Sequence, residues 1–163
     1  MDDQFAAELA IRRLHAVCAD AVYRKDGQAF AECYTENGEW KVAGLHIVGR
    51  AAIADALGEL GAANERIFMT FGMPILEFGP QTATGRTYVV EHVKRHDGSA
   101  AVTFGIYYER FVHLDGQWRF RWRHFDFLYF GSPDLSDPFY TLNDYGAPPD
   151  MPPADAPTAG LCV

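Results

Sequence analysis

The stretch Arg119 to Gly131, RFRWRHFDFLYFG, places His124 two residues before Asp126. Side chains of an extended strand alternate between its two faces, so the imidazole and the carboxylate share one face. A carboxylate beside an imidazole fixes its tautomer and raises its basicity, the arrangement of a general base. Their face begins with Trp118, Phe120 and Trp122 and turns polar at His124, while the other face passes from Arg119, Arg121 and Arg123 to Phe125, Phe127 and Tyr129. A titratable pair on an otherwise aromatic face is expected to line a cavity.

Two Asp-Gly pairs, Asp97-Gly98 and Asp115-Gly116, join three strand-like runs, ATGRTYVVEHVKR, AAVTFGIYYERFVHL and QWRFRWRHFDFLYF. Asp-Gly flanked by such runs is a strong two-residue hairpin signal, and the register then follows by counting outward from each turn. Tyr88 is expected opposite Tyr107, and Tyr107 opposite His124; His92 falls opposite Thr103; Arg86, Glu109 and Trp122 align. The expected pocket wall therefore holds Tyr88, His92, Tyr107, Glu109, Trp122, His124 and Asp126 around the space left by Gly105. His92 is the first choice of acid or base, and His124 with Asp126 the second. Tyr23, Tyr88 and Tyr107 either donate to a substrate oxygen or simply pack with satisfied hydroxyls. Arg86 either pairs with Glu109 across the strands or holds an anionic oxygen. The bland alternative is a satisfied polar cluster that only fixes register, with His92 bonded to Thr103. A single β-bulge would move half of these residues to the other face.

The elements that must carry this wall are legible from periodicity. Residues 4–23 repeat Ile11, Leu14, Cys18 and Ala21/Val22 at helical spacing. KDGQAF starts a short helix carrying Phe30 and Tyr34, GEWKVAGLHIVG reads as a strand pair around Ala43-Gly44, and GRAAIADALGEL as a third helix with Ile53, Leu57 and Leu60 inward. RIFMTFGMPILEF begins the run of strands. Helices followed by an antiparallel meander form an α+β layout, with the helices on one sheet face. The other face, gathering Val89, Val93, Phe104, Ile106, Phe125 and Phe127, is expected to meet a second subunit in a homodimer or homotrimer.

Length bounds the domain count: 163 residues allow one domain with a substantial core. Residues 1–130 form it; residues 131–146 hold aromatics enough to fold back over the body, and residues 147–163, rich in proline, read as disordered. The aromatic content of 14% favours an apolar ligand. The net charge of −8, without clustered basic residues, argues against nucleic acid. Cys18, Cys33 and Cys162 show no CxxC spacing, and the six histidines no HxH, HxxxH or HExxH, so neither a disulfide framework nor a metal site is expected. With no long apolar run and no leader, a cytoplasmic protein without membrane contact is expected.

ADAVYRKDGQAFAECYTENGEW, followed by GRAAI and a meander ending DGQWRF, resembles the SnoaL-like branch of the nuclear-transport-factor-2-like (NTF2-like) superfamily over roughly residues 5–130. The resemblance implies an α+β fold in which three N-terminal helices and a cone-shaped, curved antiparallel sheet enclose a pocket. In scytalone dehydratase and hexachlorocyclohexane dehydrochlorinase, which share it, an Asp ending the first helix orients a proton-removing His. Those positions fall on Tyr23 and Met69, so the dyad is missing. The resemblance also implies a pocket His at His92, cavity-lining roles for Gly105 and Tyr107, and a pocket aromatic at Trp40.

Two functions are compatible with these residues. Lacking a phosphate-binding loop, flavin fingerprint or metal motif, the chain is expected to be a cofactor-independent lyase or dehydratase acting on a small apolar, phenolic compound with loss of water or formaldehyde. The alternative, favoured by the missing dyad, is a non-catalytic aromatic-binding protein or the small structural subunit of a ring-hydroxylating oxygenase.

Overall fold

The computed structural model describes residues 2–160. The chain opens with helix α1 (Asp2–Arg24), whose stripe of Ile11, Cys18, Ala21 and Val22 is fully buried. Lys25 then adopts a positive φ of 58°, and Asp26 caps the short helix α2 (Gly27–Glu32) by accepting the Ala29 N–H at 2.9 Å. Strands β1 (Tyr34–Val42) and β2 (Leu45–Val48) turn on Ala43 and Gly44, both at positive φ. Helix α3 (Arg50–Ala63) buries Ile53 and Leu57.

Strands β3 (Asn64–Phe71), β4 (Ile75–Gly79), β5 (Thr82–Arg95), β6 (Ala100–Leu114) and β7 (Gln117–Gly131) follow. The sheet order is β2-β1-β7-β6-β5-β3, with β4 beside β3 on the same edge of β5. The run RIFMTFGMPILEF is thus two strands rather than one. Pro74, without an N–H, sits in the break between them, where no ladder bond is needed. Nor is the sheet wholly antiparallel: β1 pairs with β7 in parallel. The result is a mixed α+β fold with a helix-rich N-terminus and a curved, unclosed, mostly antiparallel sheet.

Three local events set which side chains face the helices: the β5–β6 loop and two bulges in β7, one at Arg121 and one at Leu128 that turns Phe130 inward. At the β5–β6 turn, Arg95 N–H donates to the Ser99 carbonyl and Gly98 N–H to the Arg95 carbonyl, so the loop has three residues, His96 to Gly98. Gly98 takes a φ of 88° to close it, the usual form of a three-residue hairpin loop. Thr87 therefore opposes Tyr107, and Tyr88 opposes Ile106. The β6–β7 turn is the expected two-residue one, with Asp115 and Gly116 at positive φ, but a bulge at Arg121 shifts the ladder, so Phe125 opposes Tyr107 and His124 opposes Tyr108. Since side chains alternate, each one-residue shift exchanges faces. Relative to Tyr107, the expected β5 and β7 residues are turned to the outside.

The outer face is covered in part by this chain itself, where a second subunit is expected from the sequence. Tyr140 N–H donates to the Leu128 carbonyl, and Met151 packs on Ile106, Tyr108 and Trp122. Residues 147–160 do not hang free of the body: Lys41 Nζ donates to the Ala154 carbonyl at 3.1 Å, and Gly44 N–H to Thr158 Oγ1 at 2.7 Å. Cys162 lies outside the described residues.

Gly105 leaves no open space. A Cβ there would meet Phe125 Cζ at 2.1 Å and the Asp126 carbonyl oxygen at 2.9 Å, so the absent side chain is replaced by the Phe125 ring. Gly105→Ala is expected to destabilise the fold by about 1–3 kcal/mol through overpacking. A urea-denaturation midpoint unchanged from the wild type would contradict this packing.

Candidate functional site

Between the helices and the inner sheet face lies a cavity of about 400 Å³. Val22 and Phe30 close it from the first two helices, Leu57 and Leu60 from α3, and Phe125, Phe127 and Phe130 from β7. This volume sits at the small end of the range for ligand pockets, and its lining is overwhelmingly apolar.

Three polar groups matter in it: Glu91, Tyr107 and Arg95. Glu91 points inward because β5 alternates from buried Thr87 through Val89 to residue 91. Among the described residues nothing hydrogen-bonds or ion-pairs with its carboxylate. Burial alone pushes the Glu91 carboxyl up to about 7. The side chain keeps intermediate exposure, which is exposure to the cavity it lines. Tyr107 accepts the Trp40 Nε1–H on its hydroxyl at 3.2 Å. With that lone pair occupied, its own proton is left to donate elsewhere, and burial raises its pKa so that it stays protonated.

Behind Tyr107 lies a buried charge cluster. The Arg123 guanidinium carbon stands 3.7 Å from the Tyr107 ring centroid and 4.1 Å from that of Phe120. Its Nε donates to Glu109 Oε1 at 3.0 Å; Nη2 lies 2.9 Å from the same oxygen without hydrogen-bond alignment, a contact of charge alone. Glu109 also accepts from Thr87 Oγ1 at 2.7 Å and from His15 Nε2 at 2.9 Å, while His15 Nδ1 donates to the Ile11 carbonyl. Burial by itself would raise the Glu109 carboxyl, but His15 and Arg123 outweigh it and hold it below the ordinary value. Cys18 follows the same balance: burial raises the thiol, yet Cys33 and Arg123 bring it down to about 7.

The sequence-derived residues are divided by these two environments. Tyr107, Trp40 and Met69 line the cavity. Glu109 faces inward but is spent on Arg123 and His15. His92 is exposed on the outer face of β5, and Tyr88 is 47% exposed beside it. Arg86, on the same face, pairs with Asp150 at 2.9 Å rather than with Glu109. His124 and Asp126 do bond each other, at 3.0 Å, but on the outer face, where Tyr145 donates to Asp126 and Trp122 stacks on His124. Tyr23 is 53% exposed and packs edge-on against Phe68. A two-residue turn would place Glu91 and Arg95 outside, so the hairpin signal in the sequence does not point to either as a site residue. Among the described residues, no three His, Cys, Asp or Glu side chains are grouped to hold a metal ion, and no helix is long and apolar enough to cross a membrane.

The SnoaL-like domain model matches residues 3–124. The chain belongs to the SnoaL-like family. No functionally curated protein matches it. Among solved structures, this SnoaL-like chain is similar to a Mycobacterium tuberculosis protein of unknown function, with 28% identity, TM-score 0.72, and coverage of 77% of this chain and 74% of that one. It is also similar to a Novosphingobium aromaticivorans protein assigned as a scytalone dehydratase, at 20% identity, TM-score 0.74 and coverage of 88% and 94%. A type 2 hexachlorocyclohexane dehydrochlorinase gives 17% identity, TM-score 0.74 and coverage of 86% and 96%. The last two likenesses establish the common fold. The SnoaL-like cavity here holds Met69 where the resemblance places a proton-removing His, and its ionisable wall lies instead on β5 and β6.

The raised Glu91 value has a stability consequence. In the folded state the carboxyl titrates near 7 and in the unfolded chain near 4.5, so the folded state binds the proton more tightly. That contribution is complete below the unfolded value and is lost as pH rises through about 7. Glu91→Gln carries no such loss, so it should match the wild type near pH 4 and exceed it by up to about 3 kcal/mol at pH 8. Urea denaturation across this range checks the expectation; a constant difference would contradict it.

Proposed function

We propose that this protein is a cofactor-independent lyase that removes a proton from a small, apolar, phenolic aromatic compound, with Glu91 as the base and Tyr107 holding the oxygen that gains charge. The carrying observation is the unpartnered Glu91 carboxylate in an aromatic cavity, pushed up to about 7. A base is most effective when its pKa lies near the operating pH, because it is then both available and strong enough. Tyr107, kept protonated and already accepting from Trp40, directs its O–H to a substrate oxygen. The apolar walls exclude water and strengthen both interactions. Elimination balances within this pair. Glu91 takes the proton, the electron pair displaces hydroxide, and protonated Glu91 returns its proton to make water. In a phenol whose benzylic carbon bears a hydroxyl beside a hydroxymethyl-bearing carbon, deprotonation expels the benzylic hydroxide, which takes the proton back as water and leaves a quinone methide. Glu91 then removes the hydroxymethyl O–H proton, formaldehyde leaves, and the freed C–C electron pair forms the alkene and restores the phenolate.

The apolar lining and the replacement of the relatives' dyad by Tyr23 and Met69 favour a second reading, an aromatic-binding protein without turnover. An ultraviolet-absorbance assay of the purified protein in EDTA against phenolic alcohols and diarylpropane diols separates the two. Wild-type turnover should rise with pH through about 7, the value of the base. Glu91→Gln should lower it roughly 10²–10⁴-fold while leaving binding intact. Full turnover by Glu91→Gln would remove Glu91 from the mechanism, and binding without any turnover would favour the second reading.

A further inference from the structure

The cavity contains one cation among its lining residues, Arg95, on the same face of β5 as Glu91. Four residues at about 3.3 Å per residue separate their Cα atoms by about 13 Å, with Val93 between them. The two charges therefore occupy different ends of one apolar space. Arg95 makes a single long side-chain hydrogen bond, Nη1 to Ser99 Oγ at 3.4 Å. Among the described residues no carboxylate pairs with it. Asp97, in the adjacent turn, is held by the Ser99 N–H at 2.8 Å and the Ser99 hydroxyl at 2.6 Å, and it feels the Arg95 charge through that hydroxyl without a direct ion pair. The fully buried guanidinium is treated differently: Arg123 is matched by Glu109. A second cation strengthens the same end. Asn64, the ladder partner of Arg95, accepts Lys25 Nζ on its backbone carbonyl at 2.6 Å.

We infer that the cavity takes an aromatic carboxylate, oriented with its carboxylate on Arg95 and its reacting carbon or hydroxyl toward Glu91 and Tyr107. This rests on the reading of the cavity as the ligand site and adds the substrate's charge and direction. A guanidinium with open donors can take a carboxylate through two parallel hydrogen bonds, which fixes position as well as affinity. The apolar span between Arg95 and Glu91 suits the ring, and the separation keeps the ligand's charge away from the Glu91 carboxylate. In a protein of net charge −8, this cation offsets the repulsion an anion would otherwise meet in the cavity.

Isothermal titration of the full chain with trans-cinnamate and with cinnamamide tests this, since the two have the same shape and differ in charge. The wild type should bind cinnamate at least tenfold more tightly. Arg95→Met should reduce that preference to less than twofold, chiefly by weakening cinnamate binding, and Arg95→Gln gives the same readout if the Met variant does not fold. Arg95→Lys should retain part of the preference. Equal wild-type affinities, or a preference surviving in folded Arg95→Met or Arg95→Gln, would overturn the carboxylate inference alone. Binding of neither ligand would overturn it together with the cavity reading.

Discussion

The contact between Arg123 and Glu109 is the constraint on which the inner sheet face depends. A charged side chain with no solvent exposure must find its partner inside the protein, and here that partner comes from the next strand. Because Glu109 and Arg123 are ladder neighbours, both must face inward together, which fixes the parity of β6 against β7. Thr87 adds β5 to the same lock through its bond to Glu109, and His15 adds α1. Removing either Arg123 or Glu109 leaves the other's buried charge without its main partner, a far larger cost than an ordinary surface pair carries. Parity fixed at Thr87 propagates by alternation to Val89, Glu91 and Arg95, so the cluster decides which residues reach the cavity.

The cluster and the cavity use polar groups in opposite ways. Glu109 is satisfied from three directions and held ionised, which makes it a structural anion. Glu91 has the same chemistry and none of the partners, so desolvation alone acts on it. Two carboxylates on neighbouring strands are thereby driven apart in acidity, the separation that allows one to anchor a fold and the other to exchange protons. Tyr107 connects them: its ring rests on Arg123 and its hydroxyl reaches the cavity. On the outer face, His124 and Asp126 form a third polar group, closed over by Tyr145 and residues of the C-terminal segment. Asp126 is held below its ordinary value by those bonds against the opposing effect of burial, which suits a latch under the segment.

Much of this was readable from the sequence. The stripe of α1, the inward residues of α3, the β1–β2 turn and the run of strands all follow from period and turn chemistry, and the family resemblance agreed with them. The face of β6 was also readable, so Tyr107 and Glu109 were found. What the sequence does not reveal is one extra residue in the loop ending at Gly98 and the bulges at Arg121 and Leu128. Asp-Gly serves a two-residue turn and the end of a three-residue loop equally well, and nothing about Arg121 distinguishes a bulged residue from a paired one. Each slip exchanges the faces of the side chains beyond it, which is why the sequence points to His92 and His124 where the structure turns Glu91 and Phe125 inward. The folding back of residues 147–160 was hidden for a different reason: its anchors, Met151 and Thr158, are single residues in a proline-rich run whose composition resembles that of a free tail.

The proposed chemistry depends on one unpartnered carboxylate, Glu91, exchanging its proton near neutrality inside the cavity. A ¹³C NMR titration of the Glu91 side-chain carboxyl in the ligand-free protein, assigned by loss of its signal in Glu91→Gln, measures this directly. A midpoint near 7 is expected. A midpoint at the ordinary 4.5 would place Glu91 in contact with water or a partner and contradict the site described above.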